Sequence, residues 1–510
     1  MSWDIECDVV VVGSGGGALA GAYTAAVSGL RTVVLEKTAL FGGTSAYSGA
    51  GLFLPGNQAE ARAGVADSVE RGRTYLRSVL GDTSDPREAA RREAFLTTAP
   101  AVVEFLERDP AIEFQYYSFP DYYGVEGRLP GGGHIVPVPL PSSALGADLL
   151  ARLRPTIAAE RNGVDVPRET LGGGQALIAR LLLALTATGN AELRTGAAVH
   201  TLVTDAQGGV AGVEASTADG PLRVRAARGV LLAAGGFEGN ADLRAASGTP
   251  GSSEWTMGPR GTNTGEPIEA AVAIGAATDL MDQAWWCPGL VQPDGSAAFF
   301  LGLRGGLFVD AHGERFANES LPYDRMGREL AADATRRIPC HFVFDSRERG
   351  HLPAINCVPG AKPQQYLESG AWVRAETLDD LAALIDVPAG ALRDSVERFN
   401  GFAKTGVDEA FRRGTDEYDR YFVGDNPVLV PVDQPPYYAA RVVLGDLGTK
   451  GGLVTDPDAR VLRADGTAIE GLYAAGNTSA SVMRSYYPAP GSPIGTAIVF
   501  AHRAALHMTP

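Results

Sequence analysis

The chain has 510 residues, of which 45% are hydrophobic and 20% charged, so it is long enough for two or three globular domains and too apolar for a disordered protein. Its formal net charge of −16 disfavours nucleic acid and anionic membranes as partners, because both need a basic surface. The four cysteines are scattered without CxxC pairs, which predicts neither a disulfide framework nor a metal site. With an acidic N-terminus and no apolar run of about 18 residues, we expect a cytoplasmic protein without a signal peptide or transmembrane segment.

The first predicted element is a βαβ unit. Asp8 to Val12 is a β-branched run typical of a buried parallel strand, and Thr32 to Glu36 is a second such run that ends in an acid. A GxGxxA turn and a helix-compatible stretch lie between them, and the predicted phosphate contacts there are Gly13, Ser14, Gly15, Gly16, Gly17 and Ala18. Glycines let the backbone approach a pyrophosphate, the helix N-terminus attracts it, and Glu36 can accept from ribose hydroxyls. The unit therefore predicts dinucleotide binding.

Three later segments favour FAD over NAD as that dinucleotide. The stretch after Glu36 combines a glycine pair with hydroxyls beside the expected ligand, and two apolar strands later in the chain run into the glycine turns AAGG and GLYAAG. The further cofactor contacts predicted from these segments and from the C-terminal region are Lys37, Gly42, Gly43, Thr44, Ser45, Ala233, Ala234, Gly235, Gly476, Asn477, Ser492 and Ile494. These motifs resemble the flavoprotein subunits of fumarate reductase and succinate dehydrogenase. The GGTSAYSG segment has no His or Cys for a covalent link, so we expect non-covalent FAD.

The position of these motifs predicts a split cofactor domain. We expect an α/β fold in which a Rossmann-type FAD-binding domain is built from both chain ends, residues 1–279 and 449–510, with an inserted α+β catalytic domain at 280–448. Within the insertion, Leu378 to Asn400 has helical periodicity. A segment at 117–170, rich in Pro, Gly and Tyr, predicts a loop-rich excursion of the kind that often carries function.

Tyrosines occupy the places where a dicarboxylate reductase would carry carboxylate-binding side chains, which favours a neutral, aromatic site for an apolar ketone. We expect Asp121 and Asp324 to be exposed carboxylates on loops, and the seven histidines to have structural roles. Several segments together resemble the bacterial 3-ketosteroid Δ1-dehydrogenases over nearly the full length: PDYY (120–123), NESLPYD (318–324), GDLGTKGG (445–452), AAGNTSAS (474–481) and YYPAPGSPIG (486–495).

That resemblance implies oxidation of the C1–C2 bond of a 3-ketosteroid. It assigns Tyr323 as the base that removes the C2 proton, Tyr122 as its hydrogen-bonding assistant, and Tyr487 with the Gly491 backbone N–H as donors to the C3 carbonyl. The hydride from C1 then passes to flavin N5. One departure is Ala489, which stands where relatives often have glycine and is expected to narrow the pocket around the steroid A ring.

Three alternatives remain open at this point. A 3-ketosteroid Δ4-(5α)-dehydrogenase and a fumarate-type reductase share the FAD motifs, and a non-catalytic FAD-binding or electron-carrier protein would make the tyrosines coincidental. The sequence does not identify the electron acceptor, for which a membrane quinone is one candidate.

Overall fold

A computed structural model describes residues 2–509 and places most of their strands in two large sheets. The strands are β1 (Ile5–Val12), β2 (Thr32–Leu35), β3 (Phe114–Tyr116), β4 (Ile135–Pro137), β5 (Leu140–Pro141), β6 (Thr170–Leu171), β7 (Ala191–Arg194), β8 (Ala198–Thr204), β9 (Val210–Thr217), β10 (Gly220–Leu232), β11 (Thr278–Asp279), β12 (Ala284–Val291), β13 (Ala297–Leu301), β14 (Leu307–Val309), β15 (Cys340–Phe344), β16 (Ile355–Asn356), β17 (Trp372–Ala375), β18 (Tyr437–Thr449), β19 (Gly452–Leu453), β20 (Arg460–Leu462) and β21 (Ala468–Ala474). The α-helices are α1 (Gly16–Val27), α2 (Gln58–Arg62), α3 (Val69–Leu80), α4 (Pro86–Leu106), α5 (Ala147–Arg152), α6 (Ile157–Asn162), α7 (Gly173–Ala187), α8 (Ala241–Ser247), α9 (Glu266–Ala273), α10 (Tyr323–Ala332), α11 (Ala334–Arg337), α12 (Pro363–Ser369), α13 (Leu378–Leu384), α14 (Ala389–Thr405), α15 (Glu417–Tyr421) and α16 (Ser492–Met508).

The first sheet is built around the predicted βαβ unit. β1 pairs in parallel with β2 on one side and β10 on the other, in the strand order β20-β21-β10-β1-β2-β7. Val9, Val10 and Val11 are fully buried, as expected of a parallel strand covered on both faces. β21, from the C-terminal end of the chain, pairs in parallel with β10. The sheet therefore contains both chain ends, which confirms the predicted split fold.

Small residues bring α16 against α1. A Cβ on Gly17 would lie 2.8 Å from the Cβ of Ala497, and one on Gly21 would lie 3.1 Å from the Cβ of Ala501. Any larger side chain at these glycines would push the helices apart. The close approach sets the N-termini of α1 and α16 side by side at the same end of the sheet.

The second sheet is antiparallel and comes from the inserted region. Its strand order is β14-β15-β18-β12-β13-β16, with β17 also paired to β18, and α10 to α15 come from the same region. This is the predicted α+β insertion. The proposed boundaries stay predictions; β11 ends at Asp279 and β18 at Thr449. The helical periodicity predicted over 378–400 is divided between α13 and α14, because the chain turns at Asp386, whose φ is +55°, just before Pro388.

The excursion at 117–170 is less irregular than predicted, since it contains short strands and the helices α5 and α6. The first part of this excursion is hydrogen-bonded to α15 of the inserted region and to the residue that precedes it. The Arg128 guanidinium donates to both carboxylate oxygens of Asp416 at 3.0 and 2.9 Å, and the Tyr421 hydroxyl donates to the Ser118 carbonyl at 2.8 Å. These contacts join the excursion to the inserted region.

Candidate active site

A cavity of about 750 Å³ extends from the N-terminus of α1 to the tyrosine-bearing segments. Tyr122, Tyr323, Tyr487 and Gly491 all line it. Most of the predicted cofactor residues line it as well, namely Gly13, Ser14, Gly15, Gly16, Gly17, Ala18, Glu36, Lys37, Gly43, Thr44, Ser45, Ala233, Ala234, Gly235, Gly476, Asn477 and Ile494. The predicted cofactor and catalytic residues thus share one continuous cavity.

Gly42 and Ser492 lie behind this lining. Gly42 has a φ of +118° and its N–H donates to the Ser14 hydroxyl at 3.0 Å, so it forms the turn that leads into Gly43. Ser492 is fully buried at the start of α16, and its hydroxyl donates to the Ala489 carbonyl at 2.7 Å. Both shape the walls of the site instead of facing the cavity.

The N-terminus of α1 forms an anion cradle. Gly15 at the N-cap position makes no side-chain capping bond, and the nearby Gly16 N–H donates to the Ser45 hydroxyl at 3.1 Å. Among residues 2–509, a Cβ on Gly43 would meet nothing within 4 Å, which shows open space where a ligand would run. By contrast, a Cβ on Gly13 would lie 2.4 Å from the Ala233 carbonyl oxygen, so that turn requires glycine. Free N–H groups and the positive end of the helix dipole suit a pyrophosphate.

Glu36 is held at the far end of this cradle. It is 7% exposed, and its carboxylate accepts from the Ser14 hydroxyl at 2.5 Å and from the Thr38 N–H and hydroxyl at 2.8 and 2.9 Å. A carboxylate still has lone pairs for ribose hydroxyls after these bonds. Lys37 turns toward Glu266, with Nζ 2.7 Å from its Oε1. The residues present therefore fit an adenine dinucleotide.

Asn263 is a cavity residue that the sequence reasoning missed. Its φ is +52°, and its Nδ2 donates to Thr44 Oγ1 at 3.0 Å and to Glu238 Oε1 at 2.6 Å. Burial, followed by the charge of Asp446, raises the pKa of Glu238 to about 7. The available sequence signal was an asparagine in the turn-forming stretch GTNTG (261–265), because Asn tolerates positive φ better than most residues.

The three tyrosines form a chain of hydroxyl groups. The Tyr122 hydroxyl donates to that of Tyr323 at 2.6 Å, and the Tyr323 hydroxyl donates to that of Tyr487 at 3.1 Å. Their rings pack edge to face with centroids 5.2 to 5.4 Å apart. Tyr122 comes from the excursion, Tyr323 begins α10 and Tyr487 precedes α16. Three distant parts of the chain thus meet at one point.

Burial raises the pKa of each of the three tyrosines above its ordinary value. Hydrogen bonds oppose this effect at two of them. The Tyr122 hydroxyl lowers the pKa of Tyr323, and at Tyr487 the Tyr323 hydroxyl and the Gly491 backbone do the same. A donor aimed at a phenol oxygen stabilises its anion. The Tyr122 hydroxyl therefore reduces the cost of forming a phenolate at Tyr323, while burial keeps the pKa of Tyr323 above its ordinary value.

The backbone around the tyrosines is fixed by contacts that the sequence did not reveal. The Tyr75 hydroxyl and the Tyr122 N–H both donate to the Pro488 carbonyl, at 2.7 and 2.9 Å. Gly491 has a φ of +85°, and a Cβ there would lie 2.2 Å from the Gly51 carbonyl carbon. Ala489 is fully buried but does not line the cavity, so the expectation that it narrows the pocket was wrong.

Asp121 and Asp324 are fully buried, so the default reading of both as exposed carboxylates was also wrong. Asp121 accepts from the N–H groups of Gly133 and Leu129 at 3.2 and 3.4 Å, and burial raises its pKa to about 6. Asp324 is paired with Lys450 at 3.1 Å. Each carboxylate is next in sequence to a site tyrosine, and its bonds hold that tyrosine's backbone.

The part of the cavity around the tyrosines is apolar. Its lining includes Met257, Phe119, Tyr117, Phe299, Leu301, Leu447 and Cys357. Trp285 packs behind Tyr487 with ring centroids 4.9 Å apart. Among residues 2–509, the lysine and arginine in the lining are Lys37 and Arg154, and Arg154 donates to Thr38 at the ribose end. His134, assigned a structural role from the sequence, also lines the cavity.

Within residues 2–509, no group of three or more His, Cys, Asp and Glu side chains is placed to hold a metal ion. In the same range, none of the helices is both long and apolar enough to span a bilayer.

Comparisons with known proteins agree with this geometry. Residues 8–494 match the family of FAD binding domains. A 3-oxosteroid 1-dehydrogenase of Rhodococcus opacus is 43% identical over 528 residues, covering 99% of each chain. The crystal structure of 3-ketosteroid Δ1-dehydrogenase from Sterolibacterium denitrificans, in complex with 1,4-androstadiene-3,17-dione, is 34% identical with a TM-score of 0.89 over 99% of both chains.

A 3-ketosteroid Δ4-(5α)-dehydrogenase from Rhodococcus jostii shares the fold at lower similarity. It is 24% identical with a TM-score of 0.69, covering 100% of this chain and 98% of that one. The near full-length match to the first two proteins, and the match of residues 8–494 to the FAD family, are what decide the relationship. The chain binds FAD and belongs to the 3-oxosteroid 1-dehydrogenase family.

Proposed function

We propose that the chain catalyses FAD-dependent 1,2-desaturation of 3-ketosteroids. The observation that carries this proposal is the Tyr122–Tyr323–Tyr487 hydroxyl chain, which opens with Gly491 into an apolar part of the cavity that is continuous with the dinucleotide cradle. Desaturation next to a ketone needs a base and a polarised carbonyl, and this cluster supplies a phenol oxygen and two donors for those roles.

The proposed roles come from the motif resemblance and use the hydrogen-bonding groups of this cluster. The ketone oxygen accepts from the Tyr487 hydroxyl and the Gly491 N–H, which acidify the C2 hydrogen because they stabilise the developing enolate by about 3–4 kcal/mol each. Tyr323, as a phenolate stabilised by the donor Tyr122, takes the C2 proton. FAD, when bound, supplies the acceptor for the C1 hydride. Loss of the C2 proton and the C1 hydride leaves the C1–C2 double bond.

The lining argues against a fumarate-type reductase. Binding a dicarboxylate calls for arginine or histidinium at the reacting end, as bidentate donors to carboxylate. Among the described residues, the cationic lining residues Lys37 and Arg154 lie at the ribose end instead. A neutral ketone matches the uncharged surroundings of the tyrosines better.

We further propose that FAD is held non-covalently, and a quinone is one candidate for the electron acceptor that reoxidises it. The GGTSAYSG segment has no His or Cys for a flavin link, although His134 and Cys357 line the cavity elsewhere. Acid precipitation should release the flavin into the supernatant, whereas yellow precipitated protein would contradict non-covalent binding. Reoxidation of the reduced enzyme by soluble quinones, compared with oxygen alone, tests the acceptor.

Anaerobic reduction of the bound flavin tests the function. A 3-oxo-4-ene steroid should bleach the flavin absorbance and yield the 1,4-diene. A 5α-saturated 3-ketosteroid should yield the 1-ene, whereas formation of the 4-ene would indicate the Δ4 enzyme. Fumarate reduction with reduced viologen, without activity on steroids, would indicate the reductase. If no ketosteroid bleaches the flavin, the FAD-binding or electron-carrier alternative is favoured.

A further inference from the structure

His134 is fixed at the cavity wall by its backbone. It is 3% exposed and directly precedes β4. Its carbonyl accepts from the Tyr117 N–H at 3.2 Å, and the next residue, Ile135, exchanges backbone hydrogen bonds of 3.1 and 2.8 Å with Leu52. With the backbone held on both sides, the imidazole has little freedom to leave the cavity.

The surroundings of the ring place it beside the tyrosine end of the cavity. Its centroid lies 5.6 Å from that of Tyr117 and 6.0 Å from that of Phe119, both in edge-on geometry. A Cβ on Gly51 would lie 3.1 Å from His134 Cδ2 and 3.6 Å from the Gly491 nitrogen. The Cδ2–Nε2 edge of the imidazole therefore lies close to the amide assigned to the substrate ketone.

The imidazole lacks a partner for a buried polar atom. Nδ1 is buried and makes no hydrogen bond within residues 2–509. Burial lowers the pKa of His134 to about 4, so at neutral pH the ring is uncharged and carries one N–H. A buried N–H without an acceptor is rarer in proteins than an under-satisfied acceptor. We therefore assign the proton to Nε2, which leaves Nδ1 as a bare lone pair.

We infer that the Nε2–H of His134 donates a hydrogen bond to a carbonyl oxygen of a molecule bound in the cavity. A neutral donor in an apolar wall suits a neutral carbonyl oxygen, since it satisfies the ring without bringing a charge into the site. Two bound molecules offer such an oxygen: the pyrimidine carbonyls of the flavin and the ketone of the substrate. If the acceptor is the substrate ketone, the inference rests on the proposed function; if the acceptor is a flavin carbonyl, it does not.

His134→Phe and His134→Gln test the inference. Phe keeps the ring shape but removes the donor, whereas Gln keeps an N–H. The partly exposed His341 on β15 supplies the matched control, His341→Gln. For each holoenzyme we would measure the visible flavin spectrum, the flavin midpoint potential and FAD affinity without steroid, and then the steroid KM and kcat.

If the flavin is the acceptor, His134→Phe shifts the flavin spectrum or potential and weakens FAD binding about 5–10-fold, the size expected of one hydrogen bond. If the substrate is the acceptor, the flavin spectrum, potential and FAD affinity remain those of the wild type, and the steroid KM rises by about the same factor. In either case His134→Gln recovers part of the effect and His341→Gln shows none.

Two results would overturn the inference. One is a His134→Phe enzyme whose flavin spectrum, potential, FAD affinity and KM all equal those of the wild type. The other is flavin that stays on the wild-type protein after acid precipitation but is released from His134→Phe, which would make His134 a covalent attachment site. If no steroid is turned over by the wild type, the proposed function fails and the flavin measurements alone decide the inference.

Discussion

Lys450 and Asp324 form an ion pair in which neither side chain is exposed, with Nζ 3.1 Å from Oδ1. Nζ also donates to the Ser485 carbonyl at 2.9 Å and lies 4.5 Å from the centroid of the Trp285 ring. Asp324 follows Tyr323 on α10, and Trp285 packs against Tyr487. One buried ammonium thus joins the helix that carries the proposed base to the wall behind the proposed carbonyl donor.

Replacing one member of this pair should destabilise the protein by more than half of the loss that replacing both members causes. Lys450→Met or Asp324→Asn leaves an unmatched buried group and should lower the free energy of unfolding by about 3–5 kcal/mol, whereas the double variant should lose clearly less than the sum. Urea unfolding of the holoenzyme measures this, with exposed Lys404→Met as the control. Strictly additive losses would mean that the two groups are not energetically coupled.

Tyr323→Phe should lower kcat by about 10²–10⁴-fold, the range for loss of a general base, while FAD stays bound. Steady-state kinetics and the ratio of flavin to protein absorbance check both parts. Tyr486→Phe is the matched control, because Tyr486 packs on the Arg328 guanidinium at 5.1 Å and lies outside the cavity lining among the described residues. Turnover of Tyr323→Phe close to wild type would remove the base assignment.

Tyr75→Phe should impair turnover through Pro488. It removes the 2.7 Å hydrogen bond that helps fix the Pro488 carbonyl beside Tyr487, so we expect a loss of about 1–3 kcal/mol in stability and a lower kcat. Tyr366→Phe removes a 2.7 Å bond from α12 to Gln292, which follows β12, and should cost similar stability at unchanged kcat. Equal kcat values for both variants would show that Tyr75 does not position the site.

Gly491→Ala should lose FAD. Its Cβ would lie 2.2 Å from the Gly51 carbonyl carbon, at a φ of +85°, so the cavity wall must move. Gly466→Ala is matched in φ, also +85°, but its Cβ would meet no described residue within 4 Å, so it isolates the backbone strain from the clash. Flavin absorbance per protein should fall in Gly491→Ala and persist in Gly466→Ala. Similar flavin content in both would show that the wall at Gly51 accommodates the extra methyl group without displacing FAD.

Glu238 should make stability fall as pH rises. Burial, followed by the charge of Asp446, raises its folded-state pKa from 4.5 to about 7. Between these values the folded state retains a proton that the unfolded state has released, so the free energy of unfolding decreases by up to about 1.4 kcal/mol per pH unit and levels off above the folded-state pKa.

Comparison with Glu238→Gln checks the pH dependence, because Gln cannot titrate. The difference in unfolding free energy between wild type and Glu238→Gln should change across this pH window, at a fixed excess of FAD. The exposed Glu409→Gln variant should show no such change. A difference that is independent of pH would contradict the raised pKa of Glu238.

The sequence alone determined the cofactor half of the site. The βαβ fingerprint is local: Gly13, the helix N-terminus and Glu36 lie within one short unit, so their spacing already dictates how a dinucleotide binds. The tyrosine roles were reached from motif resemblance, and the structure brings those tyrosines within hydrogen-bond distance. The order of the elements also predicted that both chain ends would share one sheet.

Only the tertiary structure decided what depends on neighbours distant in sequence. Asp324 looked like a loop carboxylate until Lys450, 126 residues later, proved to be its partner in the core. His134 looked structural because nothing near it in sequence shows that Gly51 and Phe119 enclose it at the cavity wall. Burial and partner choice arise from packing between separate elements, and local residue patterns carry no information about that packing.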